Sequence, residues 1–87
     1  MVHKINLSED FAEAVLNGDK SFEICNNDRG YQKGDTVIFK VVERGGTALE
    51  VFNHPLNGIE FEITYVINGW GLKDGFVAFG IRRKADG

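Results

Sequence analysis

Chemistry-bearing side chains concentrate in one stretch, Gly18 to Asp35, which places Lys20, Glu23, Asn27, Asp28 and Arg29 just after a helical segment and around one strand. Lys20 follows the helix end, near its negative pole. Alternation across Ser21-Phe22-Glu23-Ile24-Cys25 predicts that Phe22 and Ile24 point one way, Glu23 and Cys25 the other. With Phe22 and Ile24 in the core, Glu23 must find solvent, a lysine or a cleft. The plainest arrangement is a Lys20–Glu23 surface pair, worth under ~1 kcal/mol. The alternative is a polar hollow shared by these side chains.

Other reactive groups are sparse. The one cysteine, Cys25, cannot form an internal disulfide and reads as a small buried apolar group. As a nucleophile it would need a basic partner, and no histidine is near it in sequence. His3, Cys25 and His54 are too scattered for a zinc site, so neither a metal nor a cofactor is expected. Ser8 suits a helix cap, and Ser21 is the only other serine. Gly69-Trp70-Gly71 is followed by neither a helix start nor Gly-Lys-Ser/Thr, so it reads as a turn and not a phosphate cradle. Trp70 either stacks on a base or covers one end of the fold. Tyr65 is a second aromatic available for stacking. Arg82-Arg83-Lys84 reads as a solvated basic tail or, alternatively, an RNA contact.

The elements that must position these groups are short. At 87 residues the chain is one domain, residues 1–87. Its 43% hydrophobic content, with seven Phe, supports a packed core, and eleven Gly against one Pro suit tight turns between strands. A first strand is predicted at His3–Leu7. A helix at 8–17 follows, capped by Ser8 and closed by Gly18, with Leu7, Phe11, Ala14 and Val15 on one face. Further strands are expected at 21–25, 36–42, 47–52, 59–67 and 76–81, with a hairpin turn at Arg44-Gly45-Gly46. In the longest, Ile59, Phe61, Ile63, Tyr65 and Ile67 share one face. The fold class is therefore α+β, mainly β: a small barrel of five to six mostly antiparallel strands, closed or nearly closed to hide its edges, with one N-terminal helix plugging an opening.

A net charge of −3 weighs against non-specific nucleic-acid binding but leaves room for one nucleotide or a short strand in a pocket. No apolar run reaches membrane-spanning length, and the N-terminus lacks signal-peptide character, so the expected location is the cytoplasm.

Gly18-x-Lys20-x-x-Glu23 resembles the Gly-x-Lys-x-x-Glu-x-Arg signature of ASCH domains, of the PUA-like superfamily. Similarity to short bacterial and phage ASCH-like proteins extends from His3-Lys4-Ile5 and the Phe11 helix through Asn27-Asp28-Arg29 and Gly34-Asp35. It continues in Thr64-Tyr65-Val66-Ile67 and Gly71-Leu72-Lys73. The resemblance implies a PUA-like barrel with a cleft beside the first helix, an RNA or nucleotide partner, and Lys20, Glu23, Asn27 and Arg29 as cleft residues. Lysine and arginine would meet phosphate; glutamate or asparagine would read a base edge. The signature's arginine is Cys25 here and Asn26 follows, which removes positive charge from that cleft and argues for a neutral ligand or a weakened function. Some ASCH proteins are amidohydrolases of N4-acetylcytidine that use a lysine, a threonine nucleophile and a distant glutamate. Lys20 matches that lysine, but Glu23 occupies the threonine's place and no distant glutamate is matched. Three readings thus stand: a binding module for RNA or a nucleotide, a small amidohydrolase using Lys20 and Glu23, or an interaction module that is a monomer or a weak homodimer joined through a strand edge.

Overall fold

Short alternating segments separated by glycine turns must pair with one another to satisfy their backbones. In the computed structural model, which describes residues 1–43 and 53–85, they do so in one sheet. The elements are β1 (Val2–Ser8), α1 (Glu9–Asn17), β2 (Phe22–Asn26), β3 (Thr36–Val42), β4 (Glu60–Asn68) and β5 (Phe76–Arg83). The sheet order is β1-β3-β4-β5-β2. β1 runs parallel to β3; the other three pairings are antiparallel. Among the described residues the sheet is not closed, because β1 and β2 end it on opposite sides without pairing to each other. The expected hairpin turn at 44–46 and strand at 47–52 lie outside the described residues.

α1 starts and stops where capping chemistry dictates. Ser8 Oγ accepts the Asp10 N–H at 3.3 Å, and Glu9 and Asp10 put negative charge on the first turn. Gly18 takes the left-handed conformation (φ 87°) and donates its N–H to the Val15 carbonyl, closing the helix. Of the expected face, Leu7 and Val15 are buried and Ala14 is half-buried, but Phe11 is exposed and Ala12 takes its place against the sheet. Two small residues let this nine-residue helix sit close to the sheet, and Phe11, one position earlier, is turned about 100° outward.

The core lies on the sheet face that α1 covers. Phe39 meets Phe61 edge-on at 5.6 Å between centroids, and Tyr31 bridges Phe79 (4.9 Å) and His3 (4.6 Å). Leu56, in the loop before β4, is fully buried, and Asn57 Oδ1 accepts the Val41 N–H at 2.8 Å.

Two strands differ from the alternation read in the sequence. In β2 the inward residues are Glu23 and Cys25, while Phe22 and Ile24 are about half exposed. Pairing explains the inversion: Glu23 lies opposite Phe79 and Cys25 opposite Val77, and residues directly opposite share a face. Phe79 and Val77 are core, so Glu23 and Cys25 face inward too. In β4 a bulge lies between Ile63, opposite Ile81, and Tyr65, opposite Gly80. The extra residue reverses the alternation. Phe61 and Ile63 are buried, Val66 packs on the core, and Tyr65 and Ile67 turn outward.

Candidate functional site

β2 leaves the helix end through Gly18, Asp19, Lys20 and Ser21, and this short connection brings Lys20 and Glu23 together. The Lys20 Nζ pairs with Glu23 Oε1 and donates to the Phe22 carbonyl at 3.0 Å. It also lies over the rings of Phe11 (5.2 Å) and Phe22 (5.0 Å). Both side chains are mostly shielded, at 18% and 12% exposure, so this is not the loose surface pair that spacing alone suggests. The two aromatic faces and the carboxylate fix the position of the ammonium.

Beside Lys20 is a hollow of about 300 Å³ between the end of α1 and the ends of β4 and β5. Leu16, Phe61 and Ile81 supply apolar wall; Lys20, Arg82 and Arg83 supply positive charge. Arg82 is paired with Glu62 at 2.8 Å, which holds the Glu62 carboxyl below its usual range. Arg83 has no ion-pair partner among the described residues. The sequence signal for this wall was the Arg82-Arg83-Lys84 run. It reads as tail because nothing local shows that β5 continues to Arg83.

The other expected site residues lie elsewhere. Asn27 is at the far end of β2, roughly 20 Å of extended chain from Lys20. Its side chain accepts the Tyr31 N–H at 3.3 Å, and it lines a separate hollow of about 210 Å³ with Asn68, Gly69 and residues 72–77. Arg29 donates from Nη1 to the Lys4 carbonyl on the edge of β1. Trp70 stands at a turn with φ 50° and 92% exposure, covering nothing. Tyr65 is on the outer face of the sheet. The structure therefore joins Lys20 with Glu23, while Asn27 lines another hollow, Arg29 is turned to the Lys4 carbonyl, Tyr65 lies on the outer sheet face and Trp70 stands at an exposed turn.

Two further clusters went unread. Cys25 faces Tyr31: burial pushes the thiol up from its ordinary value, and burial together with Cys25 pushes the Tyr31 hydroxyl up to about 12. A thiol so held stays protonated near neutrality, which fits a packing role. Asp35 gathers buried His3 (Nε2 to Oδ2, 2.8 Å), the N-terminal ammonium (3.2 Å) and the Gln32 N–H (3.1 Å). The His3 hydrogen bond, followed by those of the terminus and Gln32, holds its carboxyl below the usual range. Among the described residues no three His, Cys, Asp or Glu side chains are placed to hold a metal ion, and no helix is long and apolar enough to cross a membrane.

Fold and site together define a small α+β domain: among the described residues, one helix on an open five-stranded sheet, with a hollow lined by Lys20, Arg82 and Arg83 at the helix end. The chain belongs to DUF3850, a domain family of unknown function, which it matches over residues 2–81. A search of curated proteins gives no match. Among solved structures it is similar to the hypothetical protein PH0355, with a TM-score of 0.60 and 18% identity over 97% of this chain and 100% of that one. That likeness concerns the fold.

Proposed function

We propose that this domain is an ASCH-type member of the PUA-like fold and that it binds one nucleotide unit, free or within single-stranded RNA, in the hollow beside α1. One observation carries the reading. Lys20, Arg82 and Arg83 line the same concavity as Leu16, Phe61 and Ile81, in a chain whose net charge is −3. Arg83, without an ion-pair partner among the described residues, and the carboxylate-paired Lys20 and Arg82 stand at an apolar wall, which suits a ligand with a flat apolar body and one anionic group. A base would rest on Leu16 and the rim of Phe61, and the phosphate would meet Arg83 and Lys20. Signature residues Gly18 and Lys20 line this hollow, Gly18 ending the helix, and Glu23 pairs with the lysine from outside the lining. The positive charge that Cys25 and Asn26 do not supply comes from β5 instead. A hollow this small, on an acidic protein, suits a single unit better than a long backbone track.

The test is a titration of isotopically labelled protein with adenosine and uridine monophosphates and a short single-stranded RNA. Amide shifts are expected at Lys20, Ser21 and Arg83. Arg83→Ala should weaken binding about tenfold, the scale of one charge-assisted hydrogen bond. Shifts confined to Tyr65 and Trp70, or none at millimolar ligand, would overturn the reading.

A further inference from the structure

The loop from Gly69 to Gly75 joins β4 to β5 and carries two costs that the fold does not require. Trp70 is the only non-glycine residue with positive φ among the described residues (φ 50°), and a bulky side chain is strained in that conformation. Its indole is also 92% exposed, so a large aromatic surface is left in water. Glycine would build the same turn without either cost. Gly69 (φ 68°) and Gly71 (φ 92°), on either side, already take left-handed conformations, and the Leu72 N–H closes the turn on the Gly69 carbonyl at 2.9 Å. Stability therefore gives no account of the indole.

Gly69 and Leu72, the two feet of that turn, line the hollow of about 210 Å³ at the far end of β2, so Trp70 stands at its mouth. The hydrogen-bonding groups that its wall leaves open can be named. Asn27 is fixed in place: its N–H donates to the Gly75 carbonyl at 2.9 Å, and its Oδ1 accepts the Tyr31 N–H at 3.3 Å. Its amide NH2 remains as a donor. Asn68, the last residue of β4, has no side-chain partner among the described residues, so its amide offers a donor and an acceptor side by side. Lys73 and Asp74 cancel in charge, and the Lys73 ammonium lies 5.9 Å from the centre of the Phe76 ring. The wall is thus polar, adaptable in donors and acceptors, and without net charge, unlike the hollow beside α1.

We propose that this hollow is a second binding site, which takes the edge of a neutral nucleobase while Trp70 stacks on the face of the ring. An open side-chain amide matches the paired donor and acceptor of a base edge, and an exposed indole matches its π face. A flat heteroaromatic ring meets both demands at once. The volume lies below the roughly 300–1,000 Å³ of pockets that enclose a whole ligand, so the ring edge enters and the ribose stays outside. No net charge draws a phosphate in. The site therefore does not rest on the hollow beside α1. With both occupied, one single strand would be held at opposite ends of β2, and that joint use alone rests on the nucleotide reading.

Trp70 is the only tryptophan in the chain, so intrinsic fluorescence reads this site directly. The test is a titration of the intact chain with adenosine and cytidine, which carry no phosphate, and with N-acetylglucosamine as a neutral ring that has no π face. Saturable quenching by the nucleosides is expected, half complete at roughly millimolar concentration, with none from the sugar. Asn68→Ala removes an exposed amide and should weaken the response about tenfold, with circular dichroism unchanged. Trp70→Gly removes the probe, so its binding is read from amide shifts at Asn27, Asn68 and Gly75, and affinity should again fall about tenfold. Arg83→Ala, which alters only the hollow beside α1, should leave the quenching as it is. No saturable quenching up to about 10 mM nucleoside would overturn the proposal, as would an equal response to the sugar or quenching that Asn68→Ala leaves unchanged. Quenching abolished by Arg83→Ala would overturn it as well, by placing the base beside α1.

Discussion

Replacing Asp35 with alanine tests whether a single, mostly shielded carboxylate fastens the start of the chain to the sheet. Its Oδ2 lies 2.8 Å from His3 Nε2 and accepts the Gln32 N–H at 3.1 Å, while Oδ1 takes the N-terminal ammonium at 3.2 Å. His3 is only 3% exposed and packed at a tilt against Tyr31, so its ring cannot turn to water when the carboxylate is lost. An abandoned buried polar group costs about 1–3 kcal/mol. The exposed terminal ammonium adds about 0–1 kcal/mol, and the Gln32 N–H, being exposed, can bind water. The sum, about 1–4 kcal/mol, corresponds to a fall in Tm of roughly 4–30 °C for a domain of this size. Thermal unfolding followed by circular dichroism at pH 7 reads it directly. The acid limb supplies the sign. Asp35 has a depressed carboxyl pKa, caused first by the His3 hydrogen bond, so its contribution is complete above the ordinary aspartate range and is lost as pH falls through the folded value. The gap between wild type and Asp35→Ala should therefore narrow below about pH 4. A variant that melts within about 2 °C of wild type at pH 7, or a gap that does not change in acid, would refute the reasoning.

Two other substitutions probe the frame around the site. Gly80→Ala would put a Cβ 2.5 Å from Thr64 Oγ1 at the β4 bulge, so it should cost about 1–3 kcal/mol in chemical denaturation, and adding Thr64→Ala should recover most of that loss. Trp70→Gly, at a left-handed turn where the indole covers nothing, should leave stability within about 0.5 kcal/mol of wild type or raise it.

The helix was legible because capping is local: Ser8, Glu9, Asp10 and Gly18 announce its ends without reference to the rest of the chain. The antiparallel strands were legible from alternation. Which side of a strand faces the core was not, because that depends on partners distant in sequence. Phe22 and Ile24 are apolar yet face outward, since the register with β5 puts Glu23 opposite Phe79. One bulge residue near Thr64 turned Tyr65 and Ile67 from the core to the surface. Similarly, the contact between Lys20 and Glu23 was legible from a three-residue spacing. The arrival of Arg82 and Arg83 at the same hollow required the chain to return past the helix more than sixty residues later. Asn27 does not line the hollow beside Lys20, because an extended strand carries its two ends apart, and Arg29 is turned to the Lys4 carbonyl instead.

The most direct measurement is of intermolecular nuclear Overhauser effects between the base and ribose protons of a bound mononucleotide and the methyl groups of this domain. Contacts to Leu16 and Ile81 are predicted, with the phosphate broadening or shifting the Arg83 guanidinium signals. Contacts that reach Ile24, Ile67 or the Trp70 ring while Leu16 and Ile81 show none would place the ligand on the outer sheet face or the loop, and would contradict a site at the end of α1.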